Sequence, residues 1–245
     1  MTETPDSPRG YLGALRDVTA TLVSLSPAIV DAIVTDCPGW VGRDVVAHLG
    51  RVYASVTAIV DARATGPVDV GDLAVAPADG TIHDWIARRS AEMLAALEGL
   101  APDERVWTWS TDHTGGFYHR RMVHETTVHV ADLQRAIGRT PTIDRAMACD
   151  GIDEAYELIL PFGLKRRNRT FPTSTLHLHC TDGPGEWLVV PRGDTVDLTH
   201  EHAKGDVAWR GPAASLFLAV WGRRVLDVTA FGDPGASREW SELGV

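Results

Sequence analysis

The sequence predicts an α+β protein: an up-down helical bundle over residues 1–165, then a small α/β domain over residues 166–245. Two patterns carry this reading. Up to about residue 160, apolar residues recur at spacings of three and four, the stripe of helices that bury one face. After Phe171 the pattern turns to alternation punctuated by glycine turns, the signature of strands. Composition agrees, since 44% hydrophobic and 23% charged residues suit a globular chain with a real core.

Residues 1–8, rich in Thr, Pro, Ser and acid, read as a disordered tail. The first helix spans residues 11–34 on Leu12, Leu15, Val18, Leu22, Leu25, Ile29 and Ile33, with Pro27 placed to kink or split it. Cys37-Pro38-Gly39 is a turn, and a second helix covers residues 41–64. Residues 65–80 form a loop, and a third helix follows at 82–97. Residues 106–109 are extended, and Gly115-Gly116 breaks the chain before a fourth helix at 118–137 that stops at Gly138. A fifth helical segment covers 145–160 and ends at Pro161. Strands are expected at 175–180, 186–190, 195–199, 207–210 and 226–230, with a helix at 212–221.

The net charge of -10 argues against nucleic acid or an anionic membrane surface as partner, since both call for a basic face. Three scattered cysteines, Cys37, Cys149 and Cys180, give neither a disulfide framework nor a thiolate zinc site. The N-terminus lacks an apolar signal core, and no apolar run approaches membrane-spanning length. A cytoplasmic protein, monomeric by default, is expected.

The chemistry concentrates in His124-Glu125-Thr126-Thr127-Val128-His129. Glu125 and His129 are four residues apart, so in a helix they leave one face a turn apart. His48 lies on the second helix. Two histidines and one carboxylate would hold a catalytic divalent ion and leave positions open for water or substrate. Each residue also has an ordinary reading, because a single helical histidine often sits at the surface or bonds within a core. His124 and His129 are five apart and fall on different faces, which rules out the His-Glu-x-x-His protease arrangement. Asp44, four before His48, either holds its far ring nitrogen or faces the positive end of its helix. Asp132, three after His129, has a similar double reading.

Cys37-Pro38-Gly39-Trp40, residues 43–50 (RDVVAHLG) and residues 121–132 (RMVHETTVHVAD) resemble the mycothiol-dependent maleylpyruvate isomerase family of the DinB-like superfamily. The resemblance covers nearly the whole chain, a DinB-like metal-binding bundle and a sterol-carrier-like C-terminal domain. It implies a divalent metal, typically zinc, on His48, Glu125 and His129. It also implies mycothiol, the thiol that replaces glutathione in actinobacteria, and an arginine of the C-terminal domain that meets an anionic substrate. Arg223 in Trp221-Gly222-Arg223-Arg224 matches that place, with a solvated arginine at a helix end as its alternative. One departure is Val41, where a Thr or Ser cap is expected.

The function expected on this basis is a thiol-dependent isomerase or S-transferase for a small electrophilic anion such as maleylpyruvate. Two other readings stay open: a hydrolase using metal-bound water, and a non-catalytic module that binds a small ligand. The thiol requirement separates the first from the others.

Overall fold

The computed structural model describes residues 10–243, so the tail expected at residues 1–8 lies outside the described residues. The chain divides into two compact units between Thr142 and Ile143.

The first unit is built on α1 (Gly10–Ser24), α2 (Gly42–Asp61), α3 (Ile82–Glu98) and α4 (Gly115–Ala136). α1 and α2 each pack on both α3 and α4, which makes the expected bundle. Leu15, Leu49, Tyr53, Met93, Leu97 and Leu133 are fully buried between them. Each aliphatic side chain so placed contributes about 1.5–3 kcal/mol through lost contact with water.

The helix expected over residues 11–34 ends at Ser24. Pro27 instead opens a separate 3-10 turn, Pro27–Asp31, where its missing N–H costs nothing. That turn abuts the start of α2. A Cβ on Gly42 would stand 2.0 Å from the Ile29 carbonyl oxygen, so only glycine permits the approach. Without a capping hydroxyl at Val41, Asp44 Oδ2 accepts a hydrogen bond from Val41 N at 2.9 Å. Asp44 thus serves the helix start and not the ring of His48.

α4 begins three residues before its expected start, and Gly115-Gly116 forms its first turn instead of a break. A Cβ on Gly115 would lie 2.2 Å from the Ala101 carbonyl oxygen. These glycines serve close packing, which a one-dimensional pattern reads as flexibility.

The second unit opens with α5 (Arg145–Glu154), a π-turn (Ala155–Ile159) and α6 (Leu160–Arg166), which follow without interruption. The stop expected at Pro161 does not occur. Leu160 N–H bonds Ala155 O, five residues back, and this wide turn lets Pro161 stand in the first turn of α6. A five-stranded sheet follows: β1 (Leu176–Cys180), β2 (Glu186–Arg192), β3 (Thr195–Thr199), β4 (Val207–Gly211) and β5 (Thr229–Gly232), in the order β3-β2-β1-β4-β5. β1 and β4 are parallel and the other pairs antiparallel. α7 (Ala213–Val220) and α8 (Pro234–Ser241) pack on the sheet. Leu176, Leu178, Trp187, Val189, Val207 and Trp209 form its buried face.

The units divide earlier than the boundary expected at residues 165/166. Trp187 Nε1 donates to Asp153 Oδ1 at 2.6 Å and Trp221 Nε1 to the Gly151 carbonyl at 3.1 Å, which ties α5 to the sheet and to α7. The change of texture near residue 166 is therefore a change of secondary structure inside one packed unit. β5 begins at Thr229, three residues after its expected start. No helix among the described residues is long and apolar enough to cross a membrane.

Candidate metal centre

α2 carries His48 and α4 carries Glu125 and His129. The two helices are neighbours in the bundle, and Tyr53 Oη meets Thr126 Oγ1 at 2.8 Å in a buried bridge between them. This contact lies about a turn from His48 and beside Glu125, and it fixes the spacing of the two helices at that level.

The three residues named from the sequence converge. His48 Nε2 and Glu125 Oε1 are 2.7 Å apart, and His129 Nε2 is 3.6 Å from the same oxygen. One donor atom from each of the three lies within 4.8 Å of the others. The imidazoles of His48 and His129 meet edge to face at 4.8 Å, and Trp40 stands 5.7 Å from His48. All three donors are half-buried.

Supporting groups orient the donors. His129 Nδ1 is 3.1 Å from Asp132 Oδ2, which leaves Nε2 turned toward Glu125. Of the two readings of Asp132, the structure shows the partner of the His129 ring. Cys37 Sγ donates to the same carboxylate oxygen at 3.7 Å. Arg121, one turn before Glu125 and almost wholly buried, donates from Nη2 to Glu125 Oε2 at 3.1 Å. Burial pushes the Glu125 carboxyl up. The hydrogen bond with His48 and the charges of Arg121, His129 and His48 outweigh it and hold the group well below the usual carboxylate range. An anionic oxygen and two imidazole nitrogens are a donor set that zinc, iron and nickel accept.

Sequence reasoning missed Arg121. Its only signal was the i, i+4 spacing to Glu125, which is indistinguishable from an ordinary surface ion pair. His124 is fully buried on another face of α4 and takes no place in this group. Arg223 lies in the second unit, only 8% exposed, with Nη1 donating to the Trp221 carbonyl at 2.6 Å. The solvated arginine is excluded; the guanidinium is buried.

Residues 12–134 match the family described as the mycothiol maleylpyruvate isomerase N-terminal domain. Among curated proteins, none matches the sequence. Among solved structures, the mycothiol-dependent maleylpyruvate isomerase is similar at a TM-score of 0.63 and 14% identity, over 90% of this chain and 91% of that one. A histidine-to-alanine mutant of that enzyme is similar at a TM-score of 0.65, with the same identity and coverage. At that identity the solved structures speak for the fold, while the domain match spans half of the chain and includes His48, Glu125 and His129. The chain belongs to the mycothiol-dependent maleylpyruvate isomerase family.

Proposed function

We propose that this protein is a metal-dependent enzyme that uses a low-molecular-weight thiol, mycothiol, to isomerise or conjugate a small anionic electrophile such as maleylpyruvate. The observation that carries the proposal is the convergence of His48 Nε2, Glu125 Oε1 and His129 Nε2 in a member of this family. His48, Glu125 and His129 would hold the ion. Three protein donors without cysteine match the open coordination of catalytic centres better than the closed four-ligand structural kind.

A divalent ion held by His48, Glu125 and His129 would supply the charge that keeps a thiol ionised at neutral pH. The chain's own groups prepare that state. Asp132 fixes the ring of His129, and Arg121 holds Glu125 Oε2 so that Oε1 faces the histidines. Trp40 walls the His48 side. A thiolate that adds to a cis double bond turns it into a single bond; rotation and expulsion of the same thiolate return the trans isomer with no net consumption of thiol. Release of the adduct would instead make the protein a transferase. Arg223 is the proposed partner of a substrate carboxylate.

The test is metal content by elemental mass spectrometry, with turnover of maleylpyruvate in the presence and absence of mycothiol. One zinc per chain in this centre and thiol-dependent turnover, both lost in His129→Ala, are expected. Turnover without thiol would move the protein to the hydrolases. Metal and thiol-dependent turnover both intact in His129→Ala would overturn the centre.

A further inference from the structure

A second group of metal-ligating side chains lies on the sheet of the second unit. β1 and β2 pair so that His179 stands opposite Glu186 and His177 opposite Leu188. With a side-chain period of two, His177, His179 and Glu186 therefore share one face. The opposite face carries Leu176, Leu178 and Trp187 and is buried. The segment between β3 and β4 adds His202, whose ring meets that of His177 edge to face at 5.7 Å.

The polar atoms point inward on one another. His202 Nδ1 is 2.7 Å from Glu186 Oε2, and His177 Nε2 is 3.5 Å from the same oxygen. Donor atoms of His177, Glu186 and His202 all lie within 4.8 Å of each other. A four-coordinate zinc with bonds of about 2.0–2.1 Å spaces its donors about 3.3 Å apart, so small side-chain adjustments bring these three into place. His179 Nδ1 holds Glu186 Oε1 at 2.8 Å, which leaves Oε2 to face the other two histidines.

His177 gives the independent indication. The residue is 8% exposed, and its Nε2, shielded from solvent, makes no hydrogen bond among the described residues. A buried imidazole nitrogen left so is costly unless something binds it, and this one faces a carboxylate oxygen and a third histidine. We infer that His177, Glu186 and His202 form a second divalent transition-metal site, with His179 as the positioning residue for Glu186. Imidazole and carboxylate donors select zinc, nickel or copper over magnesium and calcium. Three protein ligands leave a coordination position for water or an exogenous donor.

The test uses the full-length protein without an affinity tag, stripped with chelator and titrated with zinc alone. Bound metal is counted after dialysis, and cobalt substitution reports coordination by visible absorption. The His48→Ala/His129→Ala protein is expected to keep one zinc per chain, and adding His202→Ala should remove it. His202 has an 81% exposed side chain, so its replacement leaves the fold intact. His179→Gln should weaken zinc at this site about 10–100-fold, the usual effect of losing an outer partner of a ligand. An unchanged zinc count after adding His202→Ala, or no zinc at all in the His48→Ala/His129→Ala protein, would overturn the inference. If the wild-type protein binds a single zinc that only His202→Ala removes, this site stands and the bundle centre falls.

Discussion

Asp132 governs a donor that stands three residues before it in the sequence, His129. Its carboxylate is almost fully buried and faces His129 Nδ1, so the ring cannot flip without losing that partner. Asp132→Asn should weaken zinc binding at the bundle centre about 10–100-fold while the helix content stays unchanged. Isothermal titration and circular dichroism check the two halves of that expectation. An unchanged affinity would show that packing alone orients the ring. At this scale the trio was legible because helical spacing and family resemblance pointed to the same three residues. Arg121 was not, because an arginine four before a glutamate is common on helix surfaces and only burial sets this one apart. The burial of Arg223 was equally invisible, since nothing local distinguishes it from its neighbour Arg224.

Elements are specified by contacts as much as by periodicity. α2 meets α3 at Gly50, where a Cβ would lie 2.1 Å from the indole ring of Trp85. Both residues are buried, so the indole must shift before a methyl group can fit. Gly50→Ala should cost about 1–3 kcal/mol by overpacking, despite its better helix propensity, as measured by urea unfolding. A neutral or stabilising result would mean that the helix pair slides freely. The start of α5 makes a contrasting prediction. Asp144 caps it by accepting from Met147 N at 3.0 Å, and Asp144→Ala should cost about 0.5–2 kcal/mol. The long helices and the strands at 195–199 and 207–210 were legible from their patterns. α8 was not, because eight residues opened by Pro234 and capped by Asp233 give too little periodicity to detect. Pro161 misled for a different reason: the rule that proline ends helices assumes α-type bonding, and the π-turn before it changes the bonding.

For the whole molecule, the proposed metal centre would link binding to folding. An ion held at the proposed centre by His48, Glu125 and His129 would join α2 to α4 and be lost on unfolding, so it would stabilise by mass action. Free zinc at a hundredfold excess over its Kd should add about 2.7 kcal/mol, seen as a higher Tm in calorimetry that chelator reverses. In His48→Ala/His129→Ala any remaining zinc-dependent shift belongs to the sheet. The order of the long helices and of the strands was legible, but the division at Thr142/Ile143 was not, because it follows long-range contacts, among them the packing of α5 on α7 and the hydrogen bond from Trp187 to Asp153, that leave no local mark. That division has an evolutionary consequence. Every donor of the bundle centre falls between residues 48 and 129, and the stretch that matches the family's N-terminal domain ends at 134, short of the division. A single contiguous gene segment therefore carries every residue of the candidate centre. Recombination near codon 142 would leave that trio whole whatever followed it, so the proposed centre can be inherited separately from the second unit.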